Sequence, residues 1–363
     1  MTSRVLRAAA VMTALTAVLW AQAPRTRRPI RARTAAAEPV GLTPEMRIVA
    51  GHITANSLRG AVSFLASDLL EGRDTPSRGL DIAGEYIASQ FRRLGLEPAG
   101  DDGYFQGVVL RSEDADSPKS RNVAGILRGS DPQLKDTYVI LSSHYDHVGL
   151  AQSGEDRVFN GANDDASGTA SVLEVANALA ALHPRPKRSV LFILFCGEEK
   201  GLRGSRYYVA HPLVPLAKTI AQLNLEQLGR TDAPEGPHVN SANVTGFEFS
   251  DVVPVVVDAG RRAGIAVTKV AEASDQYFNR SDNGPLAKAG VPAHTLSVTY
   301  EFPDYHAVGD EWQKIDYDNM AKVDQAVGIA VLRLAQAFNA PHWNETSPVA
   351  KPYAEAAKKL REQ

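Results

Sequence analysis

Five short segments rich in acids and histidines follow apolar runs or loop turns, and their side chains are of the types that bind metals and activate water. They read Leu141-Ser-Ser-His144-Tyr-Asp146-His-Val-Gly149, Gly161-Ala-Asn-Asp164-Asp165-Ala-Ser-Gly168, Phe195-Cys-Gly-Glu198-Glu199, Leu223-Asn-Leu-Glu226-Gln-Leu-Gly229 and Tyr305-His306-Ala-Val-Gly-Asp310. Two imidazoles among several carboxylates make the donor mix of a hydrolytic zinc site. Carboxylates gathered at strand ends repel one another and lose hydration, and cations resolve that conflict. The pattern points to a zinc hydrolase.

Each segment also has a plainer explanation. In an extended stretch His144 and Asp146 face the same way, so Asp146 can hold the second imidazole nitrogen of His144 or shape the outer shell of a metal. A lone histidine at a strand end is more often structural, and only its company raises His144 above that. Asp165 can cap the helix that opens near Ser167. Two adjacent aspartates need not both cap, which frees one to reach metal, and a carboxylate with two oxygens can bridge two ions. Glu198 and Glu199 diverge after a fully apolar run, so one can bind metal while the other faces water; a solvated turn is the bland alternative. Glu226 repeats the pattern after Ile220–Leu225, and His306 follows Pro303 in a loop. The remaining histidines, His52, His147, His183, His211, His238 and His294, are expected at the surface or in packing, with His147 the nearest to the site.

These residues need a frame to hold them. Apolar runs predict strands over Asn122–Leu127, Tyr138–Ser143, Ser189–Cys196, Ile220–Leu225, Ala266–Val270 and Ala293–Val298. Helical periodicity predicts helices over Ser57–Leu70, Gly79–Leu94, Ser167–Leu182, Val252–Ala263 and Asp318–Phe338. The alternation implies an α/β fold with a mixed, largely parallel central sheet and helices on both faces. Ligands in such folds gather at the carboxyl ends of strands, where the acidic segments fall.

Residues 1–23 have the layout of a signal peptide: Arg4 and Arg7, the apolar stretch Ala8–Trp20, then Ala21-Gln-Ala23. Pro24 disfavours cleavage after Ala23, which leaves cleavage after Ala21 or retention as an anchor open. Export, periplasmic or secreted, is the expectation. Residues 24–44, rich in Arg, Pro and Ala, read as a flexible linker. They carry no interleaved aromatics, so nucleic-acid binding is not expected. The seven arginines of residues 1–37 mask an acidic remainder: the whole chain is formally at −3, which leaves −10 for the rest. Cys196 is the only cysteine and lies in an apolar run, so a buried small hydrophobe is expected rather than a thiol nucleophile. Residues 45–340 are expected to form one catalytic domain, and 341–363 a polar tail ending in a surface helix.

His-x-Asp, Gly-Ala-x-Asp-Asp-x-Ser-Gly, Glu-Glu-x-Gly-Leu-x-Gly-Ser and a late Tyr-His occur here in one order. They are separated by 20 residues from His144 to Asp164, 34 from Asp164 to Glu198 and 27 from Glu199 to Glu226. In these motifs the chain resembles the zinc exopeptidase family that contains secreted bacterial leucyl aminopeptidases, glutamate carboxypeptidases and glutaminyl cyclases. The resemblance covers roughly residues 45 to 340. It implies two zinc ions bridged by Asp164, one completed by His144 and Glu226, the other by Glu199 and His306. It implies Glu198 as the general base that takes a proton from a metal-bridging water and returns it to the leaving amine. Asp146 would support His144, and the Asp164–Asp165 peptide would be cis.

Three departures stand out. Glu226 replaces a more usual aspartate, Asn283 occupies a place where relatives carry histidine, and the stretch before His144 is too short for a protease-associated insert. The implied substrates are peptides. An aminopeptidase is favoured, because the acidic body and spare carboxylates such as Asp282 suit a free α-amine. A carboxypeptidase or dipeptidase would use a cationic clamp from Arg203, Arg206 or Arg280, although the first two suit the turn after Glu199. A cyclase uses one zinc and different ligands. A non-catalytic binding module on the same fold is the alternative of another class.

Overall fold

The computed structural model describes residues 41–110, 119–269 and 276–362. The expected signal peptide, most of the linker and the end of the expected strand at Val270 lie outside the described residues.

The run Ser189–Phe195 is buried at every position, and the reason is visible in its two faces. Val190, Phe192 and Leu194 enter one apolar cluster, while Leu191, Ile193 and Phe195 enter another on the opposite side. A strand covered on both faces gains from apolar residues at every position, so its sequence loses the polar alternation of a half-exposed strand. Fully burying one such side chain contributes about 1.5–3 kcal/mol.

The strands in chain order are β1 (Glu97–Pro98), β2 (Phe105–Val109), β3 (Lys119–Leu127), β4 (Tyr138–His144), β5 (Ser189–Phe195) and β6 (Thr219–Glu226). A short hairpin, β7 (Asp232–Ala233) and β8 (Gly236–Pro237), precedes β9 (Ser241–Val244), β10 (Ala266–Thr268) and β11 (Ala293–Ser297). Among the described residues the main sheet runs β1-β3-β5-β4-β6-β11-β9-β10, with β2 also paired to β3. β5, β4, β6 and β11 are mutually parallel. The flanking pairs β3–β5 and β11–β9 are antiparallel. The mixed, largely parallel sheet expected from the sequence is therefore present.

Helices cover both faces. α1 (Pro44–His52), α2 (Ala55–Leu65), α3 (Arg78–Arg93), α4 (Gly168–Ala180) and α6 (Val252–Ala263) contribute to the first cluster, together with α8 (Tyr317–Gln336). Residues of α5 (Arg203–Ala210), α7 (Asn283–Lys288) and α9 (Lys351–Arg361) join the second. Their starts follow local chemistry: Thr54, Ser77 and Asp316 each cap a helix through a side-chain oxygen.

Two expectations change. The helix predicted to Leu70 ends at Leu65, and the chain continues as a tight turn with φ of 51° at Glu71, 69° at Gly72 and 48° at Arg73. Packing decides this: a Cβ on Gly72 would lie 2.2 Å from the Gly149 carbonyl oxygen, so the turn sits directly against the loop after β4. The expected tail does end in a helix, but Trp343, Ala350, Ala354 and Ala357 are buried in the second cluster, so this segment belongs to the folded body. The short strands β1 and β2 at one edge, and β9 between β11 and β10, carry too few apolar residues to announce themselves.

Candidate metal centre

The site lies where the four parallel strands end. β4 delivers His144, the turn after β5 delivers Glu198 and Glu199, and β6 ends at Glu226. His306 arrives from the loop after β11, with φ of 51°. Asp164 comes from the irregular turn Ala162–Ser167 that opens α4, and its peptide to Asp165 is cis.

Asp164 faces two groups at once. Its Oδ1 is 3.4 Å from Nε2 of His144, which is 3.9 Å from Oε1 of Glu226. Its Oδ2 is 3.1 Å from Nε2 of His306, which is equally 3.1 Å from Oε1 of Glu199. The five residues expected as ligands are thus brought together as two sets sharing one carboxylate. Glu198 lines the same cavity and is in neither set.

The imidazole of His144 is oriented from behind. Its Nδ1 lies 3.1 Å from the Asp146 carbonyl oxygen and 3.6 Å from Asp146 Oδ1, so a proton held there leaves the Nε2 lone pair facing the carboxylates. Asp146 also accepts from the backbone N–H of Glu198 at 3.1 Å and from the Thr75 hydroxyl at 2.9 Å. One buried carboxylate therefore positions both a candidate ligand and the candidate base. Asp165 plays the plainer of the two aspartate roles, accepting from the N–H of Gly168 at the start of α4 and from the Ser143 hydroxyl. Gly168 is required there, because a Cβ would lie 2.4 Å from Asp165 Oδ2.

The electrostatics carry an excess of buried negative charge. Burial pushes the Glu198 carboxyl well above its usual range and Glu226 up to about 8, and nearby carboxylates add to both. Burial also opposes charge on Asp164, but the imidazoles of His144 and His306 outweigh it and hold that carboxyl low. His306 is pushed up to about 10 by its contacts with Asp164 and Glu199. Protons on these groups stand in for missing positive charge. Metal cations supply that charge instead and displace the protons, so the residues present fit zinc.

Four further residues join this site outside the expected set. His147, expected in packing or at the surface, is fully buried with Nδ1 3.0 Å from Glu199 Oε1. Asp310 accepts from the backbone N–H groups of Asn163 and Asp164 at 3.0 Å. The Ser281 hydroxyl donates to Glu226 Oε1. The buried guanidinium of Arg73 donates to the carbonyls of Leu65, Tyr145, Asn160 and Gly161 and so ties together the loops carrying His144 and Asp164. His147 and Asp310 stood inside the acidic segments and could have been flagged; nothing in the sequence marked Arg73 or Ser281.

Asp282 is a correction. It is fully buried, accepts from the Ser205 hydroxyl and is not among the residues lining the cavity, so it is not free to meet a substrate amine. Asn283 is likewise buried, bonded to the Phe278 carbonyl and the Thr295 hydroxyl, and so holds α7 against β11. Arg203 donates to the Lys200 carbonyl and secures the turn after Glu199. The cavity above the two sets is about 500 Å³. Its walls include Tyr277, Tyr300, Phe302 and Tyr305, with Arg280 as its one guanidinium among the described residues.

Residues 122–333, more than half of the chain, match the sequence profile of Peptidase family M28. The chain is 34% identical over 152 residues to a protein of Pyricularia oryzae described as "Probable zinc metalloprotease", a match covering 40% of this chain and 29% of that one. It therefore spans less than a third of that relative's length. In fold it is similar to the aminopeptidase LapA of Legionella pneumophila, with a TM-score of 0.63 at 18% identity over 81% of this chain and 75% of the other. A glutaminyl cyclase of Bacteroides thetaiotaomicron gives a TM-score of 0.60 at 18% identity, covering 77% and 98%.

Proposed function

The chain belongs to peptidase family M28, and from that premise we propose that it is an exported zinc aminopeptidase that holds two zinc ions. His144, Asp164 and Glu226 would hold one ion, and Asp164, Glu199 and His306 the other. Bound there, zinc polarises the scissile carbonyl and lowers the pKa of water. Glu198 takes the proton from the attacking water and delivers it to the departing amine. Its carboxylate faces the cavity and is used by neither donor set, so it is free to accept and return that proton. Asp146 keeps Glu198 and His144 in register through its two contacts.

The observation that carries this reading is the carboxylate of Glu198, which lines the cavity beside two donor sets that do not use it. The preference for a free amine rests on the acidic lining. With the ligands engaged, Glu198 and Glu301 still face the cavity, against the single guanidinium of Arg280. Arg280 also supports a second reading, a carboxypeptidase that clamps a terminal carboxylate. The arrangement of Arg4, Arg7 and the apolar stretch to Trp20 supports export.

The test offers the zinc-loaded protein one peptide blocked at its amine and one blocked at its carboxylate. An aminopeptidase cleaves only the second, and a chelator stops it. Cleavage of the first alone would transfer the assignment to the carboxypeptidase, and no cleavage of either would overturn the exopeptidase reading.

A further inference from the structure

His147 lies three residues beyond the end of β4, and its place is built with care. Its backbone N–H donates to the Arg73 carbonyl at 3.1 Å. Its ring lies over Gly161, where a Cβ would approach Cγ and Cδ2 to 2.6 Å, so a side chain at that position would evict the imidazole. The ring is fully buried and turns Nδ1 to the carboxylates, 3.0 Å from Glu199 Oε1 and 4.0 Å from Asp164 Oδ2. Nε2 has no hydrogen-bond partner among the described residues, so the polar contacts of the ring run through Nδ1. It meets the His306 ring edge-on at 5.5 Å.

Together with Asp164, Glu199 and His306, this ring offers four donor atoms that all lie within 4.8 Å of one another. Four of the separations are 3.0, 3.1, 3.1 and 4.0 Å. A tetrahedral zinc with bonds of about 2.0 Å has donors about 3.3 Å apart, in the middle of those values. The geometry points to His147 Nδ1 as a fourth protein ligand of the ion held by Asp164, Glu199 and His306. This rests on the two-ion reading above and makes the sites unequal. The set with His147 is saturated by protein, in the manner of a closed structural site, whereas His144, Asp164 and Glu226 leave a coordination position open for substrate or water. The closed site fills first and holds its ion more tightly; the open one exchanges.

The experiment adds zinc stepwise to metal-free protein, with affinities from chelator competition and imidazoles counted by X-ray absorption at one equivalent. Wild type is expected to take two ions of unequal affinity, the first bound by two imidazoles. In His147→Phe, which keeps bulk but offers no donor, the first ion should show one imidazole. Its affinity should fall by more than the roughly 10–100-fold lost with an outer-shell partner. His147→Asn, whose amide oxygen reaches near the Nδ1 position, should recover part of the loss. Two ions with one imidazole on the first in wild type would overturn the role of His147 and leave the two-ion reading intact. Uptake of fewer than two ions by wild type would overturn both. If His147→Phe does not fold, the wild-type imidazole count decides alone.

Discussion

At the scale of the residue, charge and ligand strength can be separated at Glu198. Glu198→Gln keeps the shape of the side chain but cannot accept the proton, and neither donor set uses this residue. Its zinc content should match wild type by elemental analysis while kcat falls by roughly 10²–10⁴-fold, the usual contribution of a general base. Retained turnover would remove the base role. His294 provides a second residue-scale prediction, away from the site. Burial pushes its imidazole down to about 4, and its ring is bonded to the Ser250 hydroxyl and the Thr245 carbonyl. An unfolded histidine titrates near about 6.5, so between about 6.5 and about 4 the unfolded chain binds more protons. Stability from this group is full above that window and falls as pH drops through it, by on the order of 3 kcal/mol. Urea midpoints of zinc-loaded wild type should therefore fall more steeply on acidification than those of His294→Gln; parallel slopes would contradict the assignment.

At the scale of the element, the candidate ligand Asp164 is not held by its own segment alone. The loop before α4 that carries Asp164 is fixed by Asp310 from the loop after β11, and by Asn163, whose side-chain oxygen accepts from the N–H groups of Gly229 and Arg230 beyond β6. Asp310 also lies near the buried guanidinium of Arg73, whose charge it stabilises. Asp310→Asn places an amide N–H₂ where backbone donors expect acceptors. Zinc affinity should drop by about 10–100-fold, as when an outer-shell partner is lost. Chelator competition measures it, and an unchanged affinity would mean that the Asp164 loop holds itself. The helix that ends at Leu65 rather than Leu70 belongs to the same account. The turn Asp68–Arg73 spends helical geometry to bring one guanidinium under two loops, a long-range purpose that helical periodicity could not reveal.

For the whole molecule, the sheet supplies rigidity and the metal supplies charge balance. Glu226 and His144 are buried at the ends of two strands whose hydrogen bonding leaves them little freedom to move apart, and Asp164 is buried in the turn that opens α4. Removing zinc leaves those carboxylates facing one another in a poorly solvated space. Chelation is expected to lower Tm by several degrees, and added zinc to restore it in a concentration-dependent way, as binding to the folded state alone requires. A Tm indifferent to chelator would mean that the site is balanced without metal. Donor types, their order along the chain and the apolar runs that end in them were legible in the sequence, because ligand chemistry follows residue type and a strand buried on both faces advertises itself by continuous hydrophobicity. The split of Asp164 and Asp165 between cluster and helix start was legible for the same reason. The inclusion of His147, Asp310, Ser281 and Arg73, and the withdrawal of Asp282 behind Ser205, were decided only by tertiary structure. Those placements depend on which distant segments pack together, and neither residue type nor spacing along the chain encodes that distance.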